Sequence, residues 1–241
     1  MGPLAGRVAW VTAGTEGLGL AIASALAGAG ADVAIGALPP EAALPAGVQA
    51  PRAGPAGLAR ARAAIEALGV RCFAAPLDPR SSDSVNGFHA AASAALGPIA
   101  VLVNAQGAIA EQPLGAGGDA AWLAVLDIAL TGAFRVTRAC LPAMLAAGWG
   151  RIVQIGAAEA GTGWARHGAY CAAKQGLLGL VRCVAQEGAA HGVTCNAVSP
   201  PAAIAESLAD PAVGREIAAL VLHLCSDAAR GLTGEALPIA R

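Results

Sequence analysis

The stretch Thr12-Ala13-Gly14-Thr15-Glu16-Gly17-Leu18-Gly19 follows a short apolar run and precedes an Ala- and Leu-rich segment. Glycines in such a turn let the backbone approach a pyrophosphate, and the N-terminus of the next helix attracts its charge. Glycine also makes tight turns without any ligand, so the turn alone is a weak signal. Its place after the first predicted strand favours a nucleotide. The candidate contacts are Thr12, Gly14, Gly17, Leu18 and Gly19.

Strand-sized apolar runs alternate with longer Ala- and Leu-rich segments on either side of this turn. That alternation predicts βαβ units and a parallel sheet buried on both faces. We expect strands at Arg7–Thr12, Asp32–Ile35, Arg71–Ala75, Ile99–Asn104, Gly150–Ile155, Val193–Val198 and Leu237–Ala240. The predicted helices include Gly17–Ala29, Gly57–Leu68, Ser82–Leu96, Ala120–Ala147 and Gly168–Ala190. The pattern indicates one α/β domain over residues 1–241, with a Rossmann-like, doubly wound, seven-stranded parallel sheet.

The composition limits the classes of function. Hydrophobic residues make up 56% of the chain, but much of that is Ala, and we expect no segment to span a bilayer. The net charge of −1, with no basic run, gives no reason to expect nucleic acid or an anionic membrane as a partner. The N-terminus lacks the pattern of a secretory signal, so we expect a cytoplasmic protein. The six cysteines show no zinc-binding spacing, and no metal site is expected.

Three segments have a predicted role at the surface. The helices Ala120–Ala147 and Gly168–Ala190 are long and apolar on more than one face, which predicts a subunit interface. The stretch from Leu38 to Pro55 is rich in Pro, Ala and Gly, and predicts an irregular surface loop within the domain.

Tyr170 and Lys174 are the only tyrosine and the only lysine of the chain, and they lie four residues apart at the start of a predicted helix. Side chains at this spacing project from one helix face. A lysine ammonium there can lower the pKa of a phenol from about 10 and let it exchange a proton with a substrate oxygen. The alternative is an incidental amphipathic pair. Because two lone residues rarely fall at this spacing, the pair favours an oxidoreductase site.

These motifs resemble the short-chain dehydrogenase/reductase family of classical type, in order and spacing over nearly the whole chain. They are the Gly-rich turn, Leu102-Val103-Asn104-Ala105-Gln106-Gly107, Tyr170-x-x-x-Lys174 and Thr194-Cys195-Asn196-Ala197-Val198-Ser199-Pro200. The resemblance implies NAD or NADP as cofactor, with Asn104 and Gly107 lining it and Asp78 near the adenine. It also implies that Tyr170 is the acid/base and that Lys174 holds the nicotinamide ribose.

Three positions depart from the pattern of that family. Ala13 replaces the first glycine of the phosphate turn, a tolerable change if its φ is negative. Counting thirteen residues back from Tyr170 puts Ala157 where the family has a substrate-orienting Ser. Ala129 stands where the family usually has an Asn that organises a proton-relay water. The catalytic set is therefore expected to be degenerate.

The ribose and substrate ends of the site also depart from the family. Asp32 has the spacing of the usual ribose-binding acid, but it begins the second strand, and the other end of that strand offers Gly36, Ala37 and Leu38. The choice between NAD and NADP therefore lacks its usual marker. After the sixth strand, Pro200-Pro201 replaces the family's Pro-Gly, and the segment that covers the substrate is expected to be trimmed.

Losing one transition-state hydrogen bond costs about 10²–10³ in rate. Glu159, Thr162 or Gln154 could replace the missing hydroxyl, and His167 could face the substrate, although a loop histidine is more often only solvated. The hypothesis that we favour is a non-catalytic or impaired subunit, paired with an active homologous subunit in a tetramer. By analogy with the family, its small-molecule substrate would be of the hydroxyacyl-CoA type.

Two alternatives remain open. In the first, the chain is a stand-alone NAD(P)-dependent alcohol or ketone oxidoreductase that uses Tyr170 and Lys174 without the usual Ser and Asn, as a self-assembled oligomer. In the second, it senses a dinucleotide without turning it over.

Overall fold

The computed structural model describes residues 2–201 and 211–239. It has nine strands in this part of the chain: β1 (Val8–Thr12), β2 (Asp32–Ala37), β3 (Val48–Gln49), β4 (Cys72–Pro76), β5 (Ile99–Asn104), β6 (Ile109–Ala110), β7 (Gly150–Ile155), β8 (Val193–Ser199) and β9 (Ala236–Pro238). Seven of them form one parallel sheet in the order β4-β2-β1-β5-β7-β8-β9. The predicted doubly wound sheet is confirmed, and each of its strands lies within three residues of the predicted bounds. The predicted end of the last strand, Ala240, lies outside the described residues.

Seven helices occur in the described residues: α1 (Gly17–Gly28), α2 (Pro55–Glu66), α3 (Ser82–Leu96), α4 (Asp119–Leu126), α5 (Gly132–Ala147), α6 (Gly168–Gly188) and α7 (Pro211–Cys225). The long helix expected at 120–147 is divided into α4 and α5 by a π-helical turn, Asp127–Thr131. That turn brings Gly132 against Pro79, where an added Cβ would lie only 2.8 Å from the proline Cβ. The first helix after the segment 202–210, α7, was not among the predicted helices.

The two faces of the sheet carry separate apolar layers because side chains alternate along each strand. On one face Val11 and Ile35 pack with α1 and α7. On the other face Trp10 and Leu102 pack with α3, α5 and α6, and Trp10 stacks on Phe88 with ring centres 4.7 Å apart. Helices on both faces leave the carboxyl edge of the parallel sheet open for a ligand, which is where such folds bind nucleotides.

The loop after β2 is more ordered than the sequence predicts. Residues 39–53, here called the covering segment, contain β3, which pairs antiparallel with β6 after β5. Arg80 Nη1 donates to the carbonyl of Ala43 at 2.6 Å, and Arg52 Nη1 donates to that of Pro40 at 2.6 Å. The covering segment is thereby held across the carboxyl edge of the sheet.

One helical run, Asp119–Ala147, is long and apolar enough to cross a membrane by length and composition, with a mean hydropathy of 1.4. This is weak evidence, because the core helices of globular proteins pass the same test. Val136, Cys140 and Met144 of this run are buried against the sheet, so the structure supports a role in the core.

Candidate dinucleotide cleft and active site

A cleft of about 550 Å³ opens at the carboxyl edge of the sheet. The phosphate turn and the start of α1 form one wall, the covering segment forms another, and the first turns of α6 close the end. Of the residues that the sequence singles out, the cleft brings together Gly17, Leu18, Gly19, Gly107, Tyr170 and Lys174. Thr12 lines a smaller adjoining cavity.

Each glycine of the phosphate turn is needed for a different structural reason. A Cβ at Gly19 would lie 2.1 Å from the carbonyl oxygen of Ala13, and a Cβ at Gly14 would lie 2.7 Å from Cγ2 of Ile35. Gly17 has a φ of 51° and open space around it. Gly19 therefore allows a close backbone approach, Gly14 packs against β2, and Gly17 provides a left-handed turn.

Ala13 differs from the expectation. Its φ is 51°, so the condition under which the alanine would be tolerated, a negative φ, is not met. The close approach of its carbonyl to Gly19 accompanies this left-handed conformation. An L-residue in that region costs about 1–2 kcal/mol, so the substitution places strain at the first position of the turn.

Lys174 is buried at the end of the cleft. Its Nζ donates to the carbonyl of Ile155 at 2.7 Å and lies 5.9 Å from the ring centre of Tyr170. Burial lowers the pKa of Lys174 to about 8. Half of its population therefore loses the ammonium charge at about pH 8.

The pKa of Tyr170 moves in the direction opposite to the one expected from a neighbouring lysine. Burial raises it, and electrostatic interactions with Glu159 and Cys171 raise it further. The phenol is 5% exposed and packs edge-on against Trp164, at 6.1 Å between ring centres. Lys174 is not among the groups that shift this pKa, and loss of water around the phenolate is the largest cause, so the phenol holds its proton more tightly than a free tyrosine.

The two expected gaps in the catalytic set fall at apolar positions. Ala157 is 5% exposed and belongs to the same apolar cluster as Tyr170. Ala129 is fully buried within the π-helical turn. Neither methyl group can orient a substrate oxygen or hold a relay water.

The side chains considered as replacements for the hydroxyl do not face the cleft as donors. Gln154 is fully buried and donates to Oγ1 of Thr137 at 3.1 Å. The hydroxyl of Thr162 donates to the backbone carbonyl of Glu159 at 3.3 Å. Glu159 itself is near enough to raise the pKa of Tyr170, but a carboxylate accepts hydrogen bonds and cannot stabilise an oxyanion.

The contacts of His167 indicate a structural role. Its ring stacks on Trp164 with centres 3.6 Å apart, and its Nδ1 lies 2.9 Å from the carbonyl oxygen of Ala165. It is buried and does not line the cleft, so the suggestion that it faces a substrate is not supported.

Two residues that the resemblance assigns to the cofactor have other partners. The Asn104 amide donates to Oγ1 of Thr137 at 3.2 Å, which joins β5 to α5. The Asp78 carboxylate is held by Arg80 through contacts of 2.9 and 2.7 Å, and its pKa is lowered by these hydrogen bonds although burial opposes them. Neither side chain lines the cleft.

Asp32 lies at the amino end of β2, away from the cleft, as the sequence indicates. Its carboxylate pairs with Arg71 at 2.6 Å, at the amino edge of the sheet. At the carboxyl end of β2, Gly36, Ala37 and Leu38 line the small cavity and offer no polar side chain to a ribose. The usual marker that distinguishes NAD from NADP is therefore absent from β2.

Sequence reasoning missed two contributions to the site. Gln106 is buried between the phosphate turn and the small cavity. Gln49, Ala50 and Pro51 of the covering segment line the cleft, which no local pattern signalled. The stretch from Pro201 to Arg215 is expected to be a trimmed lid, and most of it, residues 202–210, lies outside the described part of the chain. Within the described part, no group of three or more His, Cys, Asp or Glu side chains could hold a metal ion.

The cleft fits the pyrophosphate and the nicotinamide ribose of a dinucleotide. The N-terminus of α1 has no side-chain cap, so its first backbone N–H groups remain for an anion. Gly17 and Gly19 leave backbone exposed in the same wall, and Lys174 at the opposite end can donate to a ribose hydroxyl. A bound nicotinamide would supply hydride transfer, which no side chain of this chain can perform.

Comparison with known proteins agrees with this geometry. Residues 7–210 match the family model described as short chain dehydrogenase. Nodulation protein G from Azospirillum brasilense is 33% identical over 252 residues, covering 97% of this chain and 96% of that protein. Acetoacetyl-CoA reductase from Allochromatium vinosum is 32% identical over 250 residues, covering 97% and 96%. The solved structure of carveol dehydrogenase from Mycobacterium avium in complex with NAD has a TM-score of 0.88 at 26% identity, covering 99% of this chain and 98% of that one. The chain belongs to the short-chain dehydrogenase/reductase family.

Proposed function

We propose that this chain is a subunit of an NAD(P)-linked alcohol or ketone oxidoreductase, that it keeps the dinucleotide cleft, and that it is weak or inactive as a catalyst on its own. An active homologous subunit would perform the chemistry beside it. The observation that carries the proposal is Ala157, an apolar methyl group packed in one cluster with Tyr170.

The electrostatics of the cleft support impaired catalysis. Among the described lining residues, the polar side chains are Glu16, Gln49, Tyr170 and Lys174, with no serine or threonine hydroxyl. Removing one donor to a developing oxyanion costs about 10²–10³ in rate. Burial moves the pKa of the proton donor Tyr170 further from neutral pH, and this also lowers the rate of proton exchange with a substrate.

The similar proteins support a class of substrate, and the exposed apolar residues of α4 and α5 support a subunit assembly. The similarity to an acetoacetyl-CoA reductase supports a 3-oxoacyl or 3-hydroxyacyl thioester as substrate of the assembled enzyme. Trp122, Leu123 and Phe134 on α4 and α5 are exposed, which supports a subunit interface on this face. A tetramer with the homologous subunit, working in the cytoplasm, accounts for both features.

The proposal is tested by restoring the hydroxyl. Ala157→Ser is expected to raise the rate of acetoacetyl-CoA reduction by about 10²-fold, because it returns one donor beside Tyr170. Ala160→Ser is the matched control, since Ala160 lies in the same cluster with similar burial. The assay follows NADH and NADPH consumption by absorbance, and Tyr170→Phe in the Ala157→Ser background should remove the gain. Equal rates for wild type, Ala157→Ser and Ala160→Ser would contradict the proposal.

The stand-alone enzyme is the second candidate, favoured by the presence of Tyr170 and Lys174 in one cleft. The purified wild-type chain distinguishes the two. Turnover at about 1–10³ per second, the range of ordinary enzymes, would establish a stand-alone catalyst. NADH binding without turnover, together with co-purification from the source cells of a homologous chain that has Ser and Asn at positions 157 and 129, would support the paired subunit. A chain that assembles only with itself would exclude the pairing.

A further inference from the structure

Gln106 combines deep burial with an unsatisfied amide. Its side chain is 6% exposed, and its Nε2 has no hydrogen-bond partner among the described side chains and backbone. A buried donor without a partner costs about 1–3 kcal/mol. A ligand that accepts a hydrogen bond at this position would recover that free energy.

The hydrogen bonds of Thr12 determine the orientation of the Gln106 side-chain amide. Thr12 Oγ1 accepts from the backbone N–H of Ala105 at 2.9 Å and from that of Gln106 at 3.2 Å. These two bonds fill the acceptor capacity of a hydroxyl, so Thr12 can only donate towards the Gln106 side chain. It donates to Oε1 in a close contact, which leaves both N–H groups of Nε2 unused.

The position of Gln106 identifies the part of the ligand that it can reach. It lines a cavity of about 20 Å³, next to the cleft, whose other walls include the carboxyl end of β2 at Gly36, Ala37 and Leu38. In doubly wound folds this end of the second strand faces the ribose of the adenosine half. β2 offers no polar side chain there, and the polar side chains among the described lining residues are Thr12 and Gln106. The Thr12 hydroxyl already has partners, so Gln106, two residues after β5, is the group with unused donors.

The covering segment controls access to this space. A cavity of about 20 Å³ holds roughly one water molecule. Ala50 and Pro51 line both the small cavity and the main cleft, so a ribose enters only if they move aside. The larger cleft, of about 550 Å³, would hold the pyrophosphate and nicotinamide portions without such a movement.

We propose that the Gln106 side-chain amide donates to the hydroxyl oxygens of the adenosine ribose and replaces the acidic residue that β2 lacks. The inference rests on the cofactor-binding part of the proposed function. It also selects NAD over NADP. None of the described residues lining the small cavity is Arg, Lys or His, so a phosphate on that ribose would find no cation.

Equilibrium binding tests this inference without any activity assay. Wild type, Gln106→Ala and Gln106→Met are titrated with NADH, NADPH, ADP-ribose and nicotinamide mononucleotide, by fluorescence or calorimetry. Methionine keeps the length of the side chain and removes the amide, whereas alanine removes both. Gln186→Ala on the exposed face of α6 is the control, and thermal unfolding checks that each variant folds.

We expect NADH to bind wild type more tightly than NADPH. Both Gln106 variants should bind ADP-ribose and NADH about two- to tenfold more weakly, with nicotinamide mononucleotide and the control unchanged. If Gln106→Ala binds ADP-ribose as well as or better than wild type and Gln106→Met resembles wild type, Gln106 is a steric plug, and this inference fails while the proposed function stands. If no variant and no wild-type protein binds any of the dinucleotides, both fail.

Discussion

Lys174 is expected to destabilise the folded chain at neutral pH. It is 5% exposed, and among the described residues its side chain donates only to the carbonyl of Ile155. Burial lowers its pKa from 10.5 to about 8. At about 1.4 kcal/mol per pKa unit, the charged side chain costs the native state roughly 3 kcal/mol relative to its neutral form.

The sign of the pH dependence follows from proton binding. Below pH 8 the native and unfolded chains both hold the lysine proton, and the cost is constant. Between pH 8 and pH 10.5 the unfolded chain still holds a proton that the native chain has released, so stability rises with pH. Lys174→Met has no such cost and loses one hydrogen bond of about 1 kcal/mol. The variant should therefore be more stable than wild type by about 2 kcal/mol at pH 7.

Urea unfolding of both proteins from pH 7 to pH 10.5 measures this difference directly. Buried thiols such as Cys72 and Cys225, whose pKa values burial raises to about 12, make stability fall at high pH, but they act equally on both proteins and cancel in the comparison. The advantage of Lys174→Met should shrink steadily above pH 8. Parallel stability curves, or a variant less stable than wild type at every pH, would refute the reasoning.

Three further outcomes are expected. Gly19→Ala should lose NADH binding in a fluorescence titration and fall in stability by about 1–3 kcal/mol, because its Cβ would meet the carbonyl oxygen of Ala13 at 2.1 Å. Ala13→Gly should raise the free energy of unfolding in urea by up to about 1 kcal/mol, since it removes left-handed strain but adds freedom to the unfolded chain; a clear loss of stability would contradict the strain. Arg80→Ala should speed amide exchange in the covering segment, because Arg80 joins Asp78 to the carbonyl of Ala43; unchanged exchange there would show that other contacts hold the segment.

The sequence predicts the sheet and the Tyr170–Lys174 pair because both depend on local patterns. Buried parallel strands are continuous apolar runs, and a spacing of four fixes two side chains on one helix face. The covering segment escapes prediction because β3 and β6 are two residues long and pair across a large separation in the chain. Such short strands have no period to detect.

The pKa of Tyr170 and the unpaired amide of Gln106 also depend on tertiary contacts, which local sequence patterns do not reveal. The partner of Gln106 is Thr12, 94 residues away, and only the folded structure shows that Thr12 leaves Nε2 unpaired. The direction of the Tyr170 pKa depends on how deeply the phenol is buried, which the helix spacing does not specify. Likewise, the positive φ of Ala13 occurs together with the close approach of its carbonyl to Gly19, and the identity of the residue as alanine does not predict it.

The features that remain of the site do not all argue for a cofactor. Gly19 and Gly14 have no room for a Cβ, so the packing of the fold accounts for them even without a ligand. Lys174 has no such explanation, because its burial costs stability and a methionine of similar length would fill the same space. The unpaired amide of Gln106 likewise costs stability in the absence of a partner. Lys174 lines the main cleft and Gln106 lines the small cavity beside it, and a bound dinucleotide would offset both costs. None of the described residues that line the cleft supplies the hydroxyl that Ala157 lacks.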